Sequence, residues 1–301
     1  MPQYSKQRLE RRHVHVEGRA EGHPVIDAVT AAKVAAGIIA TLTGRGGRTG
    51  PGGAVRQACE IVAGQRNPRM ASVLAELEAM GEDPHALEAL AGLRGFRSMG
   101  EFFDPKRVPA RMNADFTVWR ADLQLPSAEE MTNEHLYEAM TDDKIESLAR
   151  FYAITAASRA ALLSDLRFSM LAVADAHALM TPQGEELFIS TNLEGRKRNA
   201  VLLLDFQSAG MVKRHVTEHM PIRFAGRTNT QAAAMDSLAF LGMERVEWMA
   251  ERLAKRPEDR MGWPSGRFLH RDSQGRTGIV QVVTPAVPEL IEAFSTTPKG
   301  A

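Results

Sequence analysis

Residues 127–181, SAEEMTNEHLYEAMTDDKIESLARFYAITAASRAALLSDLRFSMLAVADAHALMT, contain neither glycine nor proline, and no other part of the 301-residue chain runs so long without a helix breaker. Apolar residues recur in it at helical spacing: Ile145, Leu148 and Tyr152, then Leu163, Leu166, Met170 and Val173. Arg150, Arg159, Asp165 and Arg167 fall on the other side. The pattern predicts one long buried helix over residues 143–180, around which the rest of the chain is arranged.

Upstream, residues 1–22 read as a basic polar arm, followed by a helical region over 23–104 with helices at Val25–Leu42, Ala54–Ala63, Arg69–Met80 and His85–Gly92. Ala114–Leu125 reads as a strand, and residues 104–113 mark a boundary. Downstream the pattern turns to β. Leu187–Thr191 and Ala200–Phe206, joined by Asn192–Asn199, read as an antiparallel hairpin with a basic tip. Arg267–His270 and Thr277–Val283 read as a second hairpin, and Thr230–Lys255 as a helix between the two, closed by Pro257. The expected fold class is α+β and predominantly helical. A helical N-terminal part and the long central helix pack on a small, mostly antiparallel C-terminal sheet, with 105–301 forming one α+β domain.

A chain that is 44% hydrophobic and 25% charged buries a sizeable core. No apolar run of eighteen residues is present, and the charged N-terminus does not read as a secretory signal, so no membrane association is expected. One cysteine allows no internal disulfide, which points to a cytoplasmic, reducing compartment. Net charge is zero but unevenly spread. Residues 1–70 hold eleven Lys and Arg against five Asp and Glu, residues 127–195 four against twelve, and residues 196–301 sixteen against eleven. Either the basic ends neutralise the acidic middle within the fold, or they form a footprint for a polyanion. Arg11 and Arg12 in the arm, with Arg196, Lys197 and Arg198 at the hairpin tip, are the candidate nucleic-acid or anion contacts.

The segment Gly44–Gly53 is rich in glycine and arginine and precedes a helix, an arrangement that holds phosphate in some proteins. It lacks the Gly-Lys-Ser/Thr ending of a phosphate loop and follows a helix rather than a strand, so it reads as a linker. Cys59 lies on an apolar stripe with Val55 and Val62, as a small core residue does. His177 continues the central apolar stripe and reads either as a hydrogen-bonded core histidine or as a metal ligand.

The sharpest chemical signal is His215-Val-Thr-Glu-His219. On a helix, residues four apart share a face, so both imidazoles reach toward one ion with Glu218 beside them. The H-x-x-E-H order, within HVTEHM at 215–220, resembles the metal-binding helix of the pitrilysin-type peptidases. That resemblance, over six residues, implies His215 and His219 as zinc ligands, Glu218 as the catalytic base, and a later glutamate, Glu289 or Glu292, as third ligand. Two readings of function follow. The first is a non-enzymatic protein that binds a protein or nucleic-acid partner through its basic segments. The second is a zinc-dependent hydrolase built on His215, Glu218 and His219.

Overall fold

The fold is given by a computed structural model of the chain, which describes residues 28–43, 52–66, 68–81, 83–94, 96, 103–104, 116–119, 121–164, 167–243, 246–255, 259 and 262–283. The chain divides into two compact units, Met1–Asp205 and Phe206–Ala301. Helices predominate over two small sheets, so the α+β, mainly helical class holds.

In the first unit, α1 (Ala28–Thr43) packs against α2 (Gly53–Ala63) and α4 (Pro84–Arg94), and α3 (Met70–Ala79) packs on α2 and α4. Ala32, Ala36, Ile38, Ile39, Ala40 and Leu42 bury one side and the end of α1, their small side chains letting neighbouring helices approach closely. Cys59 is buried on α2, and burial pushes its thiol up to about 12, which keeps it unreactive as the apolar stripe predicts.

α5 (Ala128–Thr132) opens on a capping box in which Ser127 and Glu130 bond each other's backbone N–H. Lys144 hydrogen-bonds Glu130 and holds its carboxyl below the usual range. α6 (Glu134–Glu138) follows, capped by Asn133.

The central stretch then departs from the single helix expected over 143–180. α7 runs over Asp142–Leu163 and ends at Ser164; Ser169–Val173 is strand β1, and Ala176–Leu179 is one 3-10 turn. Ile145, Leu148 and Tyr152 are buried as expected, whereas Met170 is 59% exposed and Leu166 lies outside the described residues. Periodicity cannot separate a short apolar run in a helix from one in a strand, and strand pairing decided the matter.

The first hairpin is likewise replaced. Leu187–Thr191 lies inside helix α8 (Pro182–Arg198), and β2 (Ala200–Leu204) pairs in parallel with β1, from Ser169↔Ala200 to Val173↔Leu204. Thr181 caps α8 through the Gly184 N–H, Pro182 fits its first turn, and Asn199 ends it in the left-handed region at φ 55°. Arg196, Lys197 and Arg198 therefore form the last helical turn rather than a hairpin tip. β1, α8 and β2 make a parallel crossover unit, with α7 packed on β1 and α8 on β2.

The second unit contains an antiparallel sheet of β3 (Arg223–Ala225), β4 (Arg267–Arg271) and β5 (Thr277–Gln281), so the second predicted hairpin is present. The helix expected over Thr230–Lys255 is broken into α10 (Gln231–Phe240) and α11 (Glu247–Ala254). Gly242, at φ 68°, takes the left-handed turn between them. Arg223 and Arg271 donate to the Phe240 and Leu241 carbonyls at 2.7 and 2.8 Å and close the end of α10. The helix expected to carry both His215 and His219 is only Arg214–Thr217, here α9, preceded by a 3-10 turn at Ala209–Met211.

The Ala114–Leu125 strand is not formed among the described residues of that segment, and the boundary expected at 104–113 falls mostly outside them. The division into compact units falls at 205/206. Arg11, Arg12, most of Gly44–Gly53, Glu289 and Glu292 also lie outside the described residues.

Candidate functional site

Two apolar runs end in aspartate: Met170–Ala174 before Asp175, and Val201–Leu204 before Asp205. Parallel pairing brings both ends to the same edge. The Asp205 N–H donates to the Val173 carbonyl at 3.0 Å, and the Ala176 N–H donates to the Asp205 carbonyl at 2.8 Å. These two bonds continue the ladder past the strands and fix the backbone where β1 turns away. Asp175 makes the turn at φ 52°, ψ 37°, a left-handed conformation that aspartate tolerates better than most residues and that recurs at functional sites. Its side chain is about half exposed at the carboxyl ends of the strands, where layered α/β proteins place their ligands.

Beneath it, His177 is 1% exposed. Its Nε2 lies 3.2 Å from the Pro126 carbonyl, which only accepts, so Nε2 carries the proton. Nδ1 then faces Asp175 Oδ1 at 3.9 Å, beyond hydrogen-bond range. This is the core histidine that the apolar stripe suggested, and it braces the turn bearing Asp175. Thr181, Gln183 and Glu185 are buried at the start of α8, and Gly184 rests on the Leu179 carbonyl so closely that a Cβ there would lie 2.0 Å from the oxygen.

A separate cavity of about 730 Å³ lies among α1, α2, α7 and α8. Its charges are largely spoken for: buried Arg159 donates to Thr191 and Glu194 at 2.9 and 2.8 Å, and Lys33 pairs with Glu186 at 3.1 Å. Tyr152 fills the space over Gly37, where a Cβ would meet its hydroxyl at 2.6 Å, and burial raises the phenol to about 12.

The residues singled out from sequence fare differently. His215 lies on α9 and is exposed; His219 lies past its end. Glu218 pairs with Arg214 at 3.4 Å. No group of three His, Cys, Asp or Glu among the described residues is placed to hold a metal ion, so the zinc reading gains no third ligand. Arg196, Lys197 and Arg198 are exposed and make no ion pair among the described residues. At the carboxyl end of α8 they also complement the helix dipole. Sequence reasoning missed Asp175 and Asp205. The repeated pattern of an apolar run closed by aspartate was the available signal.

Parallel strands joined by a crossover helix, each delivering a carboxylate to one edge, set the first unit among proteins built from layered strands and helices. The chain belongs to the AAA-like domain family, whose model matches residues 25–294. No curated protein and no solved structure matches it. Among the described residues no helix is long and apolar enough to cross a membrane.

Proposed function

We propose that the protein takes part in binding a nucleoside triphosphate and its divalent cation, with Asp175 as the cation-holding carboxylate. The observation that carries this is the delivery of Asp175 by an apolar parallel strand to the edge it shares with Asp205. In phosphate-binding ATPases an aspartate so placed holds magnesium, while the nucleotide phosphates and waters supply the remaining oxygens. Magnesium needs only one or two protein carboxylates, so the donors present fit this ion where they do not fit zinc. Membership of the AAA-like family supports the same reading.

Manganese, which reports magnesium sites by electron paramagnetic resonance, tests the assignment on the full chain. Bound manganese should rise when ATP is added, and Asp175→Asn should lower its affinity at least about tenfold, since it removes a charged oxygen ligand. Asp175→Asn without effect, or manganese binding indifferent to ATP, rejects the role.

A second reading, a nucleic-acid partner, is favoured by the three exposed cations at the end of α8. If Arg196, Lys197 and Arg198 contact phosphates, affinity for DNA or RNA should fall steeply with salt. Each alanine substitution there should reduce the slope of log affinity against log salt by about one. A flat salt response removes this reading and leaves the cations as helix-end charges.

A further inference from the structure

The antiparallel sheet of the second unit carries its aromatic rings on the side away from the core. Side chains alternate along each strand, so one face sends Ala225 and Leu269 into the core and Arg223 and Arg271 to the end of α10. The other face presents Phe224 from β3, Phe268 and His270 from β4, and Gly278 and Val280 from β5. Phe224 is 51% exposed, and Phe268, His270 and Val280 are half-buried.

Two of these rings already form a stack. Register sets Phe224 opposite His270, and their centroids lie 4.8 Å apart with the planes 29° from parallel. On the far side of His270, register sets Gly278, where an added Cβ would meet nothing within 4 Å among the described residues. The imidazole thus has a phenyl group on one side and open space over bare backbone on the other. Neighbouring strands lie about 4.8 Å apart, so the space over Gly278 is one stacking distance from His270.

The surrounding charge suits an anionic chain that carries flat rings. Asp272, the one carboxylate that alternation places on this face among the described residues, is engaged in its own turn. It accepts from the Gln274 and Arg276 N–H groups and from Arg276 Nε at 2.6 Å. Arg276 stays 74% exposed at one end of the face, and Arg227 is exposed just past β3 at the other. Residues 206–283 hold twelve Lys and Arg against eight Asp and Glu. Exposed rings on a sheet with arginines at the rim bind single strands, whose bases stack on the rings while the phosphates meet the cations. A duplex keeps its base faces inside the helix. A protein partner would cover the phenyl groups but has no use for a slot one ring wide.

We infer that this face binds single-stranded nucleic acid, with a base inserted over Gly278 against His270 so that it extends the Phe224–His270 stack. The inference shares its ligand class with the second reading above and uses none of its residues.

Fluorescence anisotropy of the full chain with a labelled single strand of about 20 nucleotides tests it. Competitors are the same strand as a duplex, and an abasic strand of equal length that keeps the phosphates and lacks the bases. The single strand should bind at least about fivefold more tightly than either. Phe224→Ala should weaken it by at least about the same factor, and Phe224→Tyr, which keeps the ring, should not. Gly278→Val should weaken it as well, because valine suits a strand and fills the slot with nothing in its way. Its circular dichroism spectrum and denaturation midpoint should match those of the unaltered chain. Neither Phe224→Ala nor Gly278→Val should change the slope of log affinity against log salt, since neither removes a phosphate contact.

Equal affinity for the abasic strand, no binding of the single strand at low salt, or indifference to both Phe224→Ala and Gly278→Val overturns the inference. So does a chain that shows no base preference and doubles its mass with concentration, reverting to monomer in Phe224→Ala, which assigns the face to a second copy. Alanine at Arg196, Lys197 and Arg198 tests the α8 reading through the salt slope, whereas base preference tests this one, so either can fail while the other stands.

Discussion

Trp263→Ala should destabilise the second unit by about 3–5 kcal/mol, the largest single-residue effect expected there. Trp263 is 1% exposed and sits in a core with Ala234, Leu238, Leu241, Met249, Ala250, Leu253 and Leu269. Removing the indole empties the largest side-chain volume of that cluster. It also removes the Nε1–H that donates to the Arg267 carbonyl at 2.6 Å, leaving a β4 acceptor without its donor. Trp263→Phe keeps most of the apolar surface and loses the hydrogen bond, so its cost should be roughly half as large. Denaturant titration followed by circular dichroism is the measurement. With two units the transition need not be two-state, and the expected change is confined to the step that reports the second unit. A loss below about 1 kcal/mol for the alanine variant would contradict this core.

Gly184→Ala should be nearly as damaging, for a different reason. The added Cβ would stand 2.0 Å from the Leu179 oxygen, 2.9 Å from its carbon and 3.0 Å from its Cβ. Two of those neighbours are backbone, so the 3-10 turn and the start of α8 must separate. An overpacking cost of about 2–4 kcal/mol follows. Because the displaced turn carries His177 and begins beside Asp175, manganese binding in the presence of ATP should weaken together with stability. Gly52→Ala is the control: nothing lies within 4 Å of its added Cβ, and stability should change by less than about 0.5 kcal/mol. Equal thermal midpoints for the two variants would mean that the Leu179 contact is not as close as described.

Much of the local structure was legible in the residues. The N-terminal helices fall within a few residues of their predicted limits, because α1 and α2 carry apolar residues at helical spacing. β4 and β5 were visible as strand-rich runs around a polar turn containing Gly275, which adopts φ 83°. Asp272 supports that turn by accepting from the Gln274 and Arg276 N–H groups. The helix α8 was missed although its ends carry cap residues, Thr181-Pro182 at its start and Asn199 at its finish. The β-rich composition of Leu187–Thr191 nevertheless favoured a strand. There, caps fixed by backbone geometry were the better guide than the propensity of five residues.

The sequence by itself determined the mainly helical α+β class, the positions of most helices, and the buried and inert Cys59. These follow from interactions between residues close in the chain, or from burial preferences that a periodic pattern exposes. Only the tertiary structure decided that residues 169–173 form a strand and that Asp175 and Asp205 share an edge. The residues of β1 are compatible with either state, and the choice depends on a partner strand some thirty positions away, whose hydrogen bonds no local pattern records.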